Sequence, residues 1–388
     1  MSSPKVALRH GRDAEEMSRQ ALCEAVRLDL RGKRVLIKPN IGFKAGPGSG
    51  VVTNPRVVVG AVRWAKEGGA REVMVGDGCI YGVDSEEAFA FSGIQAALEE
   101  EGVQMVHLDR AEPVEVKVPR PMIVETVRVS SVVLEADVLV SVPVVKSHMH
   151  TGATLSLKNM KGVLFQREKV RMHHLSHPDE TGQWKGWHTL DLAIADVASA
   201  VLPHAALLDA TVVLEGMGPM IGDPRRLDTV IASDDPLAAD LTGLELIGFD
   251  PADVSHLMLT AVKQGRSLSL EQLDVDLELL SRLRTPIRPA VPEDISSAYP
   301  CFVLTSRNAC SACDSTAMAF LKRYGEEYKG DGKIQIAMGK GVLGGDIRCE
   351  HCILLGNCTA GLREKGTFIQ GCPPIASDVK KALDKLFG

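Results

Sequence analysis

Short, near-continuous runs of Val, Leu and Ile alternate along the chain with segments whose apolar positions recur at helical spacing. Residues 35–40, 72–77, 103–108 and 138–143 read as strands, and helices are expected near 13–29, 55–67 and 86–101. Apolar residues at consecutive strand positions mean that both faces are covered, as in a parallel sheet flanked by helices. Strands at 205–209 and 229–233, the second followed by a helix over 236–248, continue the same logic. The class is therefore α/β, built on a large, mostly parallel open sheet.

Residues 250–299 read differently. A charged helical stretch gives way to Pro-rich text from Pro286 to Pro300 with the composition of a linker. Beyond it a smaller α/β unit is expected, with strands near 301–305, 333–338, 352–356 and 367–370. Its closing helix carries Ile375, Val379, Ala382, Leu383 and Leu386 at helical spacing. The expected division is a large domain over 1–299 and a small C-terminal one over 300–388.

A length of 388 residues suffices for two or three domains. The net charge of −6, without any long basic run, gives no general attraction for nucleic acid or anionic membranes. The N-terminal text lacks the order of a signal peptide and no apolar run approaches a membrane span, so the expected location is the cytoplasm. Nine cysteines, an odd number concentrated at one end, do not resemble a disulfide framework. A reducing compartment suits metal–thiolate bonds instead. Cys23 and Cys301 read as packing residues.

Six of the remaining seven cysteines fall at telling places. Cys310-Ser-Ala-Cys313 opens a predicted helix, Gly356-Asn-Cys358 closes a predicted strand, and Gly371-Cys372-Pro373-Pro374 joins a strand to the last helix. The C-termini of parallel strands share one edge of a sheet, so four thiols from separate stretches can meet there. Four converging thiolates make a metal centre, and a Cys-x2-Cys pair with a trailing Cys-Pro favours a [4Fe–4S] cluster. Cys349 and Cys352 compete for these places. A strand that starts at Cys352 and ends at Cys358 sets them at the opposite edge, about five residues at roughly 3.3 Å each away. The rival is a structural zinc held by the two Cys-x2-Cys pairs, although their separation exceeds the usual ~15–20 residues.

A second group of candidates lies in Lys146-Ser-His148-Met-His150-Thr151-Gly152-Ala-Thr154, which runs on through Lys158-Asn159-Met-Lys161-Gly162. A helix is expected to begin near Gly152, and on it Thr154, Lys158 and Lys161 follow i, i+4, i+7 on one exposed face. Two ammonium groups, a hydroxyl and a helix N-terminus would together attract a phosphate or carboxylate. Lys38, Asn40, Asp77, Glu215, Asp234 and Asp235 follow neighbouring strands, where ligand sites of open parallel sheets form; the competing reading makes them caps and solvated loops. His148 and His150 are placed to ligate a metal, or one of them to act as a general base near neutral pH. His173, His174, His177 and His188 belong to an insert from about 165 to 188 and complete no recognisable metal motif. The Gly-rich loop from Gly42 to Gly50 lacks the Lys-Ser/Thr of a phosphate loop and reads as a mobile lid.

The text resembles the prokaryotic domain-of-unknown-function family numbered 362, whose members are often described as iron–sulfur centre proteins. The resemblance rests on Lys38-Pro-Asn40, Gly76-Asp-Gly78, Lys146-Ser-His148 with Lys158-Asn159-Met-Lys-Gly162, Gly216-Met-Gly-Pro219 and Asp235-Pro-Leu-Ala-Ala-Asp240. It continues through the cysteine motifs to Pro374. It implies an iron–sulfur or redox context without fixing a reaction. Cys349, Cys352 and the His-rich insert depart from the simpler family pattern. His150-Thr-Gly152 followed by Lys158 is also similar to lactate-racemase-like enzymes, which bind a nickel pincer cofactor.

The resulting expectation is a cytoplasmic, redox-linked iron–sulfur enzyme. Cys310, Cys313, Cys358 and Cys372 ligate a [4Fe–4S] cluster, and Lys38, Asn40, Asp77, Lys158, Asn159, Lys161 and Glu215 form the substrate-binding set for a small anion. His148, His150 and Lys146 form the catalytic set, and a redox partner protein is expected, whereas nucleic acid and membrane are not. The alternatives are a non-catalytic electron-transfer or metal-maturation protein and a zinc- or nickel-dependent, racemase-like enzyme.

Overall fold

The computed structural model describes residues 3–175, 184, 187–291, 298–307, 309, 311–329 and 334–387. It divides into two compact units, Met1–Ala290 and Val291–Gly388, so the division falls inside the Pro-rich stretch.

In the large unit the chain forms β1 (Ala7–His10), β2 (Arg34–Pro39), β3 (Glu72–Asp77) and β4 (Gln104–His107). A separate hairpin of β5 (Pro113–Lys117) and β6 (Thr126–Ser130) follows. β7 (Val138–Val142), β8 (Val144–His148), β9 (Gly152–Thr154), β10 (Ala205–Glu215) and β11 (Asp223–Ser233) complete the set. The main sheet is ordered β1-β11-β10-β7-β2-β3-β4, with β8 beside β10 and β9 beside β8. From β10 to β4 it is parallel, while β11 and β1 add antiparallel pairings at the other edge.

Successive residues of β2 serve opposite faces of the sheet. Val35 and Ile37 pack with Leu22, Val58, Val62 and Trp64 of the helices Ala14–Ala25 and Pro55–Glu67. Leu36 lies in the core that includes Ile194 and Val197 of the helix Thr189–Ala200. Each such aliphatic side chain withdrawn from water is worth ~1.5–3 kcal/mol, and that gain explains the unbroken apolar text of the central strands. Helix Pro55–Glu67 starts where it does because the Asn54 side chain accepts from Arg56 N and proline occupies the first turn.

Several expectations are corrected. The helix expected over 86–101 is two helices, Ser85–Phe91 and Ile94–Glu100, broken at Gly93. β10 and β11 extend well beyond 205–209 and 229–233 as a long hairpin, in which the polar outer half of β11, with Arg225 and Arg226, carries no strand-like apolar signal. The helix expected from Gly152 starts at Ser156, because residues 152–154 pair antiparallel with β8. Ser156–Asn159 and a 3₁₀ turn, Met160–Val163, then carry the two lysines. Cys23 is exposed, whereas Cys301 is buried.

The small unit is a four-stranded parallel sheet in sequence order: β12 (Phe302–Ser306), β13 (Ile334–Met338), β14 (His351–Leu355) and β15 (Thr367–Ile369). Helices Ser311–Tyr324 and Ala376–Phe387 belong to it, the second burying Val379 and Leu383 but leaving Ile375 and Leu386 exposed. Among the described residues no helix is long and apolar enough to cross a membrane.

Candidate functional site

At the C-terminal ends of β2, β3 and β8 five of the candidate residues hold one another. Lys38 Nζ is 2.7 Å from Asp77 Oδ1 and donates to Asn159 Oδ1 at 2.9 Å. Asn159 returns a hydrogen bond to Lys38 O at 3.0 Å, and Asn40 Nδ2 donates to Asn159 Oδ1 at 3.1 Å. Lys146 Nζ donates to Asn40 Oδ1 and to Val51 O, both at 2.8 Å. The second contact ties the end of the Gly-rich loop to β8. Burial pushes the Lys38 ammonium below its ordinary range while Asp77 pulls it back. A Cβ at Gly162 would stand 2.4 Å from Asp77 Oδ1 and 2.6 Å from Lys38 Nζ, so only glycine lets this backbone lie against the pair.

Beside this frame stands a second group whose charges are of one sign. Lys158 and Lys161 are half-buried, not on an exposed helix face as the spacing predicts, and Lys158 Nζ lies 3.4 Å from Thr154 Oγ1. Burial pushes Lys158 down to about 7, with the Asp191 carboxylate pulling the other way. Lys161 is held well below its ordinary range by burial, then by Lys158 and Lys169, and its Nζ meets His173 Nε2. His148 is buried and lowered by burial first, then by Lys158, His150, Lys161 and Lys146. The backbone N–H of His150 donates to His148 Nδ1 at 3.1 Å, which leaves the proton of a neutral imidazole on Nε2. Among the described residues the buried Thr151 hydroxyl, in the same turn, has no hydrogen-bond partner.

Other candidates are committed elsewhere. Asp240, on the helix Pro236–Ile247, accepts from Ser156 N at 2.8 Å and Leu157 N at 3.0 Å. The helix N-terminus expected to attract an anion is therefore occupied by the chain's own carboxylate, which burial pushes up to about 7. Glu215 pairs with Arg225 and Arg288, Asp235 with Arg266, and Asp234 accepts from Arg27 N. His188 caps the helix Thr189–Ala200, and His177 lies outside the described residues. Sequence reasoning missed Asp191, which bonds to His256 Nδ1 at 3.0 Å, and Lys169, which contacts Asp109 Oδ1 at 2.7 Å. Each lies in a helix with no motif around it.

In the small unit Cys313 is buried on the first turn of the helix Ser311–Tyr324. Gly356, at φ +89°, leaves room for it, since a Cβ there would stand 2.9 Å from Cys313 Sγ. The loops carrying Cys358 and Cys372 are tied together by Asn357 N to Gly371 O, 2.9 Å, and Gly371 N to Asn357 Oδ1, 3.0 Å. Thr316 Oγ1 joins the helix to them through Pro374 O at 2.9 Å. Cys358 and Cys372 are exposed, and Cys310 lies outside the described residues. Among the described residues no three His, Cys, Asp or Glu side chains are gathered closely enough to grip a metal ion. Cys313, Cys358 and Cys372 all follow the C-terminal ends of strands, with glycine where a Cβ would crowd a sulfur, and thiol donors of this kind suit a cluster chemically. Cys352 is near the start of the same strand that ends before Gly356, so a zinc site combining Cys313 with Cys349 and Cys352 would have to bridge ~13 Å of strand.

The family model described as "Domain of unknown function (DUF362)" matches residues 35–245, more than half of the chain. The chain belongs to this family. The match contains the Lys38 frame and the Lys158 cluster and ends before the C-terminal cysteines. A thylakoid-associated protein of Synechocystis sp. is 28% identical over 282 residues, which cover 70% of this chain and 84% of that protein. Among solved structures, the lactate racemase apoprotein from Thermoanaerobacterium thermosaccharolyticum aligns with a TM-score of 0.43 at 13% identity, over 85% of this chain and 68% of that one. A protein from Thermotoga maritima aligns with a TM-score of 0.35 at 13% identity, over 66% and 60%.

Proposed function

We propose that the large unit of this DUF362 protein is an enzyme core that binds a small carboxylate or phosphate anion against Lys158, Lys161 and His148. The observation that supports it most is electrostatic. Lys158 and Lys161 lie in a half-buried place where desolvation disfavours protonation of both; Lys158 and Lys169 add to this at Lys161, and Asp191 offsets only part of it at Lys158. An anion between them would remove that penalty, and water would compete poorly for the position. His148, with its proton on Nε2, would serve as a fixed neutral donor toward a developing oxyanion. Lys158, near 7 before an anion arrives, would be the group best suited to take up a proton at neutral pH as the anion binds. Lys38, Asn40, Asp77, Lys146 and Asn159 would set the position of this group through the bonds they make to one another.

In the same reading Cys310, Cys313, Cys358 and Cys372 hold a [4Fe–4S] cluster that supplies electrons to the reaction or to a redox partner. The Gly356 cradle beside Cys313 and the bonded loops of Cys358 and Cys372 support this part. The experiment is in two arms. Phosphate, sulfate and malonate should raise the melting temperature of the wild type, and the double variant Lys158→Gln, Lys161→Gln should lose that shift. Equal shifts in both proteins would remove the anion site. Anaerobically purified protein should contain about four iron atoms and four sulfides per chain; one zinc and no iron would remove the cluster.

A further inference from the structure

Cys349 and Cys352 stand apart from the rim at which the other cysteines end. Cys352 is the second residue of β14, and its partner across the ladder is Gln335 of β13. Partners in a parallel ladder project from the same face, so Gln335 and Cys352 share one. The Gln335 amide clamps the chain that leads into β14: Oε1 accepts from Arg348 N at 2.8 Å and from Cys349 N at 3.2 Å, while Nε2 donates to Asp346 O at 2.7 Å. The segment before β14 is thereby folded back over the face on which Cys352 lies, and Cys349 is brought above it. His351, between them, turns away, its ring edge-on to Phe387 at 4.7 Å.

We infer that Cys349 and Cys352 form a thiol–disulfide exchange site that reacts with a low-molecular-weight disulfide, cycling between a dithiol and an intramolecular disulfide. The two sulfurs differ in access. Cys352 is 2% exposed, packed with Ala337, Val342 and Leu354, whereas Cys349 is half-buried at the turn. Cys349 therefore attacks and Cys352 resolves. The Cys349 thiolate attacks one sulfur of the disulfide, whose S–S bond breaks and releases one thiolate. Cys352 then gives its proton to solvent and attacks the Cys349 sulfur, displacing the second thiolate. Two protein thiols are oxidised to one disulfide, and the small disulfide is reduced to two thiols.

Burial first, and then Cys349, push the Cys352 thiol up to about 11, which accords with two sulfurs close enough to feel each other's charge. It also suits Cys352 as the group that is reactive only once its neighbour is in a mixed disulfide. A metal site would need further ligands. Among the described residues no third His, Cys, Asp or Glu joins the pair, and His351 faces Phe387.

The test uses the full chain, purified anaerobically and equilibrated with glutathione and its disulfide at graded ratios, then acid-quenched, alkylated and mapped by peptide mass. The expected result is a Cys349–Cys352 bond that appears in one two-electron transition. Cys352→Ser should instead trap one glutathione on Cys349, and Cys349→Ser should leave Cys352 unmodified. Far-UV circular dichroism and urea midpoints compare the folding of both variants, and Cys352→Ala replaces Cys352→Ser if the hydroxyl unfolds the sheet. Absence of the Cys349–Cys352 bond at every ratio would overturn the inference. So would glutathione uptake by Cys352 in Cys349→Ser, or one bound zinc that must be chelated before either thiol reacts. None of these readouts depends on the iron content of the other cysteines.

Discussion

Lys38 Nζ lies 2.7 Å from Asp77 Oδ1, and both side chains are withdrawn from solvent. The pair is further bonded: Asp77 Oδ2 accepts from Ile41 N at 2.6 Å, and Lys38 from its other side reaches Asn159. Removing one partner of such a pair leaves the other charge buried and uncompensated. Asp77→Asn should lower the unfolding free energy by about 3–5 kcal/mol, read from urea denaturation. Gly162→Ala should cost about 1–3 kcal/mol, because its Cβ would displace the carboxylate or the ammonium.

Anion binding and protonation of Lys158 should be linked. The folded-state value near 7 lies below the ordinary 10.5, so the cost of the buried charge is present in full below pH 7 and is relieved as pH rises from about 7 toward 10.5. Wild type should therefore gain stability relative to Lys158→Met across that window. A bound anion reverses the shift, so binding at pH 7.5 should take up protons. Calorimetry in buffers of different ionisation enthalpy measures this uptake, which Lys158→Met should abolish.

Asp240 holds the start of the segment that carries both lysines. Asp240→Ala leaves Ser156 N and Leu157 N without their acceptor and should cost about 2 kcal/mol or more. Asp240→Asn keeps one acceptor oxygen and should lose less. Thermal melting of the two variants against wild type gives the comparison.

The cysteines should separate by strand edge. Cys313→Ala, Cys358→Ala and Cys372→Ala should each lose most of the iron, while Cys349→Ala and Cys352→Ala should retain it. Gly356→Ala should also lower iron occupancy, since its Cβ would crowd Cys313 Sγ and its positive φ disfavours a side chain. Iron and acid-labile sulfide analysis reads all six variants.

The sequence by itself determined the central strands and their order of burial. Val35 to Ile37 are apolar at every position, and Val138 to Val142 at all but Ser141, because both faces are covered, and that pattern is local in the chain. Among the described residues, Cys313, Cys358 and Cys372 follow the C-terminal ends of β12, β14 and β15, whereas Cys352 lies near the start of β14, as the α/β alternation implies. The antiparallel pairing of β10 with β11 was not legible: the outer half of β11 is polar, and only the ladder between Val213 and Arg225 reveals a strand there. Tertiary structure alone decided what the cleft residues do. Lys38, Lys158 and Glu215 are each charged residues near a strand end in sequence, yet one is sealed against Asp77, one is half-buried with Asp191 offsetting part of its desolvation, and one pairs with surface arginines. The physical reason is that a charge takes its role from the dielectric and the partners around it. Those come from Asp77, Asp191 and Arg288, which lie dozens of residues away along the chain and adjacent only in the fold.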